Sequence, residues 1–258
     1  MRIWTVLSFL SCCVLAASVA AQERPVRDAD ALIVLQRAVT AMGGVAISHV
    51  RDCVAEGMIE AVPGGWLTSG SFVWKDSGSE FRYENPGPLG RATLVSGRGR
   101  PTVLRGDGSM HYNAHVTEAK LPPHLIALVL YKALSDERYK VLILGEETLG
   151  SSRVLRIRTS LETDEVSAVT TVQEWLIDAT TGLPLRVEYR MPSNRNALDY
   201  LPTAFEYTNF RYVSGVAVPT RIAFYHDGQY SGVATLSSVT INAGINSSEF
   251  DAPSGGGR

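Results

Sequence analysis

The sequence has little cysteine: its only three cysteines are Cys12, Cys13 and Cys53. The first two lie in an apolar N-terminal stretch that is predicted to be removed, so a single cysteine remains in the mature chain. A disulfide framework is therefore excluded, and a hydrophobic core must stabilise the fold. We interpret Cys53 as a small buried residue rather than a reactive thiol.

An excess of positive charge is also lacking, because 24 Lys and Arg residues are set against 26 Asp and Glu residues. Nucleic-acid binding needs a basic face, so no nucleic-acid partner is expected. Beyond the N-terminus, no apolar run approaches the roughly 18–20 residues of a membrane helix. No transmembrane segment is therefore predicted after the N-terminal stretch is removed.

The N-terminal stretch has the pattern of a signal peptide. Arg2 gives a positive start, residues 3–17 are apolar, and Ser18-Val-Ala-Ala21 supplies small residues for cleavage after Ala20 or Ala21. We predict a signal peptide at residues 1–21 and a periplasmic mature protein. Residues 22–253 show neither a repeat nor a linker and are read as one domain, followed by a disordered tail at 254–258.

Catalytic and metal-binding motifs are lacking as well. The chain contains no Gly-x-Ser-x-Gly, no His-Glu-x-x-His and no P-loop. His111 and His115 fall in a predicted strand, where positions four apart are roughly 13 Å from each other. His124 has no obvious partner in the sequence, so a structural or surface role is its default interpretation. We predict no catalytic residues, no metal and no cofactor.

Strand patterns dominate what is present. Residues 174–190 predict a hairpin, with Asp178 and Gly182 in the turn and Leu185, Val187 and Tyr189 alternating with charged residues. About 11–12 such strands are predicted, mostly as antiparallel neighbours. An amphipathic helix is predicted from Asp28 or Asp30 to about Met42, before Gly43-Gly44. The fold class is therefore α+β.

A second predicted helix, residues 121–134, lacks a polar face for two turns after Pro122-Pro123. A helix that is apolar all round is buried on more than one side, against protein or against a hydrophobic ligand. We therefore predict a strongly curved antiparallel sheet, or half-open β-barrel, whose mouth this helix covers. Residues predicted to line its hydrophobic cavity and lid are Trp66, Phe72, Trp74, Leu125, Leu128, Val129 and Trp175.

This order of elements resembles the periplasmic lipoprotein-carrier (LolA/LolB-like) fold over about residues 29–253. The resemblance rests on five motifs in order: Met42-Gly-Gly44, the strand at 50–62, Pro122-Pro123, Asp178-x-x-Thr-Gly-Leu-Pro184 and Ile245-x-x-x-x-Phe250-x-x-Pro253. It implies a half-open barrel closed by helices, an apolar cavity that holds acyl chains, and no metal, cofactor or catalysis. No residue that holds the lid shut in such carriers is matched here.

From these patterns we predict an exported, non-catalytic carrier or sensor. Its partner would be a hydrophobic small molecule (an acyl chain or lipid) or a lipidated protein, with other envelope proteins as further partners, and a monomer is expected. Two alternatives stay open. One is an envelope hydrolase with an unrecognised site, for which His111 and His115 are the residues to inspect. The other is a structural or assembly module that binds a protein partner through a sheet edge.

Overall fold

The computed structural model describes residues 25–65, 67–78, 80–96, 102–112, 124–192 and 200–251. The predicted signal peptide at 1–21, the predicted tail at 254–258, and Trp66 lie outside the described residues. No helix within those ranges is long and apolar enough to cross a membrane.

Within the described ranges the chain forms three α-helices, two 3-10 helices and thirteen strands. The α-helices are α1 (Ala29–Ala41), α2 (Ile126–Ser135) and α3 (Glu165–Thr170), and the 3-10 helices are Gly44–His49 and Ser247–Phe250. The strands are β1 (Asp52–Ala61), β2 (Gly70–Ser77), β3 (Glu80–Gly87), β4 (Gly90–Ser96), β5 (Thr102–Leu104), β6 (Met110–Tyr112), β7 (Tyr139–Leu149), β8 (Ser152–Leu161), β9 (Gln173–Asp178), β10 (Pro184–Pro192), β11 (Tyr200–Val213), β12 (Val216–His226) and β13 (Gln229–Ile241).

All thirteen strands belong to one antiparallel sheet. The chain meanders outward from β1 to β6, passes through α2 to β7 at the opposite edge, and meanders back until β13 pairs with β1. In the described part of the chain β6 and β7 are the two edges, and no pairing joins them. The sheet curves around its helices without closing, which confirms the predicted α+β half-open barrel with one strand more than the predicted range.

Helix α1 forms where the sequence pattern predicts it. Asp28 caps its N-terminus, and its side chain accepts a hydrogen bond from the backbone N–H of Asp30 at 3.0 Å. Gly43 follows with a φ of 132°, and a Cβ there would lie 2.4 Å from the backbone oxygen of Gly215. The helix buries one apolar stripe against the sheet: Ala31, Val34, Leu35, Ala38 and Val39.

Helix α2 lies across the concave face because the chain must travel from one sheet edge to the other. It packs on α1, on the 3-10 helix Gly44–His49, and on β7 and β12. The predicted helix started at residue 121, whereas α2 starts at Ile126. Residues 121–123, including the two prolines, lie outside the described residues.

The predicted hairpin is confirmed. Strands β9 and β10 pair with each other, and Asp178 accepts hydrogen bonds from the backbone N–H groups of Thr180 and Thr181. The polar composition of residues 162–169 predicts a surface loop, but the short helix α3 begins within this segment at Glu165. Polar composition alone does not distinguish a short helix from a loop.

Candidate functional site

An aromatic wall lines the concave face of β2. Phe72 and Trp74 point to the same side, are almost fully buried, and stack with ring centroids 4.0 Å apart. Opposite them on β1 stand Gly57 and Ala55. A Cβ on Gly57 would lie 2.8 Å from the Phe72 ring and 2.1 Å from the backbone oxygen of Thr235. The small face of β1 is therefore required to make room for a large aromatic ring.

Trp74 is held from three directions. Its Nε1–H donates to Asn85 Oδ1 at 2.8 Å. The ring of His124 stacks on it with centroids 5.4 Å apart, and Tyr83 meets it edge-on at 6.2 Å. Satisfying the indole N–H while packing both faces leaves Trp74 a rigid part of the wall.

A buried polar cluster adjoins this wall. Tyr83 donates its hydroxyl hydrogen to Asp76 Oδ1 at 2.6 Å. His124 Nε2 lies 3.2 Å from Asp76 Oδ2, but the two atoms are not aligned for a hydrogen bond. Among the described residues, the Nδ1 of His124 has no hydrogen-bond partner, and the His124 side chain is fully buried. The side chains of Asp76, Tyr83 and His124 thus form a polar cluster next to the apolar side chains of the aromatic wall.

Two weakly acidic side chains next to this cluster or within it, Cys53 and Tyr83, have raised pKa values and stay neutral. Burial, then the negative charges of Asp76 and Asp52, raise the pKa of the Cys53 thiol. Burial and then Asp76 likewise raise the pKa of Tyr83 well above its ordinary value. Cys53 is a fully buried neutral thiol, which confirms the interpretation of this residue as structural, since the thiolate is the reactive form.

Helix α2 is anchored at both ends. At its start, the ring of His124 stacks on Trp74 of the aromatic wall, and the next residue, Leu125, is buried. At its end, the guanidinium of Arg27 donates to four backbone carbonyls, which stabilises the unpaired C-terminal oxygens of the helix. Those carbonyls belong to Ala133 (3.2 Å), Leu134 (2.7 Å), Asp136 (2.5 Å) and Tyr139 (3.3 Å).

Helix α2 is apolar beyond its buried face. That face consists of Ile126, Ala127, Leu130 and Ala133. Leu128 and Val129 lie outside it and are only half-buried, although they pack against the core cluster. A helix at a protein surface normally places polar residues at such positions.

The six predicted cavity residues that the structure describes meet in one hydrophobic core cluster. Phe72, Trp74, Leu125 and Trp175 are buried members of it, and Leu128 and Val129 pack against it. Trp175 lies on β9 between partners on β8 and β10, and its Nε1–H donates to Thr159 Oγ1 at 3.2 Å. The seventh predicted residue, Trp66, is outside the described residues.

Sequence reasoning missed the cluster of His124, Asp76 and Tyr83. No local pattern marks it, because the three residues lie on separate elements and meet only through the pairing of β2 with β3. Of the predicted histidine pair, His111 lies on β6 and His115 lies outside the described residues. Among the described side chains no group of three or more His, Cys, Asp or Glu could hold a metal ion.

No protein-family model matches the chain, and the comparison with curated proteins found no match. Solved structures do match. A LolA superfamily protein from Nitrosomonas europaea is 14% identical, with 86% of this chain and 97% of that chain covered and a TM-score of 0.52. A DUF1329 family protein from Desulfovibrio piger is 12% identical, with coverages of 85% and 96% and a TM-score of 0.52. At these identities the likeness shows the fold alone, and it confirms a LolA-like fold.

Proposed function

We propose that this protein is an exported, non-catalytic carrier or sensor that binds a hydrophobic ligand within its half-open barrel. The ligand would be an acyl chain, a lipid or a lipidated protein. The observation that carries this proposal is the partial exposure of two apolar residues in the first turn of α2. Leu128 and Val129 pack against the core cluster but are only half-buried, and the helix starts next to the aromatic wall, where His124 stacks on Trp74.

The energetic argument is apolar burial. Each methylene removed from water contributes about 0.8 kcal/mol, so an acyl chain laid along the exposed parts of Leu128 and Val129 would bind without any charged contact. The open sheet leaves α2 as the element between its two edges, so this helix would act as the lid. The fold-level resemblance to lipoprotein carriers, which implies an acyl-binding cavity, supports the same ligand class.

The proposal also covers the cellular location and the domain organisation of the protein. Residues 1–21 would be the signal peptide that exports the chain to the periplasm, and residues 22–253 would fold as one domain. N-terminal sequencing of the protein secreted to the periplasm would test the cleavage after Ala20 or Ala21. An uncleaved chain retained in the cytoplasm would contradict this part of the proposal.

Binding of a hydrophobic ligand is tested with the mature protein, purified without detergent. Native mass spectrometry and organic extraction should reveal a copurified lipid, and a fluorescent fatty acid should bind and be displaced by an unlabelled fatty acid. Leu128→Gln and Val129→Gln should each weaken probe binding several-fold. The matched control is Leu144→Gln, because Leu144 is 40% exposed on β7, and it should leave binding unchanged. An empty protein that does not bind the probe would overturn the proposal.

A further inference from the structure

A cavity lies on the outer face of the sheet, away from α2. Its volume is about 540 Å³, within the range of small-molecule sites. On β10 the lining residues Arg186, Glu188 and Arg190 alternate with Val187, which is fully buried in the core. Side chains alternate along a strand, so these three charged residues point away from the core and from the ligand proposed above.

The carboxylates of this cavity are fully engaged. Glu174 accepts from Arg158 on Oε1 and from Arg156 on Oε2. Glu188 accepts from Arg186 on Oε1 and from Arg156 on Oε2. Burial opposes ionisation of Glu188, but hydrogen bonds from Arg156 and Arg186 outweigh it and lower its pKa. Each of these carboxylate oxygens thus already accepts at least one hydrogen bond from an arginine.

The guanidinium groups that line the cavity, in contrast, have N–H donors without partners among the described residues. Arg190 uses one Nη2–H to reach the backbone oxygen of Tyr200 at 2.7 Å. Arg158 donates through Nε and Nη2, and Arg186 through Nε and Nη1. Counting partners among the described residues, Nε and Nη1 of Arg190 remain free, as do Nη1 of Arg158 and Nη2 of Arg186. With three arginines against two glutamates, the described lining is net positive, which favours an anion as the complementary ligand.

The rest of the lining is largely apolar. Val172, Pro202 and Ala204 contribute aliphatic surface, and the Tyr225 ring forms a wall over which the Arg186 guanidinium lies 4.9 Å from the ring centroid. We propose that this cavity is a binding site for a small amphipathic anion, a molecule with one carboxylate or phosphate group and an apolar or aromatic body. Arg190, the lining arginine without a carboxylate partner in the described chain, receives the anionic group through the guanidinium N–H groups that Tyr200 does not use.

Binding of 2-naphthoate to the mature protein, measured by isothermal titration calorimetry, tests this site. We expect it to bind at least tenfold more tightly than neutral 2-naphthalenemethanol. Arg190→Gln should weaken the naphthoate affinity about tenfold, the order expected for loss of a charge-assisted hydrogen bond, and should not alter the affinity for the alcohol. The matched control is Arg211→Gln, which removes an exposed arginine of the neighbouring β11 that does not line the cavity. A parallel titration with 2-naphthyl phosphate identifies the preferred anion.

Location separates this site from the barrel interior. In ¹H–¹⁵N correlation spectra, naphthoate should shift the backbone amides of Arg190 and Ala204 and leave those of Phe72 and Leu128 in place. Leu128→Gln should not change naphthoate affinity, so this inference stands or fails independently of the acyl-binding proposal. Equal binding of acid and alcohol, insensitivity to Arg190→Gln, or shifts confined to β2 and α2 would each overturn it.

Discussion

Replacing Gly57 with alanine should destabilise the protein. We expect the clash of the new Cβ with the backbone of β13 to cost more than its clash with the Phe72 ring. The added Cβ would lie 2.1 Å from the backbone oxygen of Thr235, a contact that only movement of β1 away from β13 can relieve. Its contact with the Phe72 ring, at 2.8 Å, is longer and involves a side chain. Overpacking costs about 1–3 kcal/mol, and a weakened ladder hydrogen bond adds about 1 kcal/mol. We expect Gly57→Ala to lower the free energy of unfolding by about 2–4 kcal/mol.

A double-mutant cycle with Phe72→Ala separates the two contacts. Phe72→Ala alone should cost about 3–5 kcal/mol, because the ring is almost fully buried. In that background Gly57→Ala should still cost about 2–4 kcal/mol, so the interaction energy between the two sites stays below about 1 kcal/mol. Urea unfolding followed by far-UV circular dichroism measures all four proteins, with Met58→Ala as the control because Met58 is 52% exposed on the other face of β1. If alanine at position 57 became neutral once Phe72 was removed, the backbone argument would be refuted.

Three further predictions address α2, the buried thiol and the hairpin. Arg27→Gln should speed amide hydrogen exchange in the last turn of α2, because its C-terminal carbonyls lose the guanidinium; exchange no faster than in the wild type would contradict that role. Above about pH 9 an unfolded chain ionises its cysteine while the folded Cys53 stays neutral, so this residue should lower stability by up to about 1.4 kcal/mol per pH unit between pH 9 and 10. Tyrosines whose pKa is raised by burial, such as Tyr83, add to the slope as pH approaches 10, so Cys53→Ala should reduce the slope in urea titrations without abolishing it. Asp178→Ala should cost about 1–2 kcal/mol at pH 7. Although burial opposes it, the hydrogen bonds from Thr181 lower the Asp178 pKa, so this cost should shrink as pH falls from about 4 through that lowered pKa; a cost that is constant with pH would refute the assignment.

Local pattern was enough to predict most of the sheet. The hairpin of β9 and β10 follows from alternation around a turn whose Asp178 bonds its own backbone, and α1 follows from a stripe between Asp28 and Gly43. Each signal comes from a segment of about fifteen residues, so it does not depend on contacts with distant parts of the chain. The apolar character of residues 121–134 likewise predicted a helix buried against protein or against a hydrophobic ligand. Helix α2 packs on α1, β7 and β12, but it starts later than predicted.

Contacts between elements that are far apart in the sequence could not be predicted from local patterns. His124 was assigned a default structural or surface role because Asp76 and Trp74 reach it only after β2 has paired and the chain has returned at the start of α2. The same holds for the outer cavity. Alternation predicts that Arg186 and Glu188 share a face, but not that Arg156 engages Glu188 across β9 and thereby uses its acceptors.

The outer charges and the core beneath them contribute differently to stability, and this difference makes the anion site testable. Ion pairs near a surface contribute about 0–1 kcal/mol each, so the network around Arg156 adds little compared with the buried Trp175 and Val187 on the inner side of the same strands. Arg190 is exposed and stands outside the ion-pair network of the described residues. Its replacement should therefore leave the unfolding free energy within about 0.5 kcal/mol of the wild type. A loss of anion affinity in a protein of unchanged stability can then be attributed to the guanidinium itself.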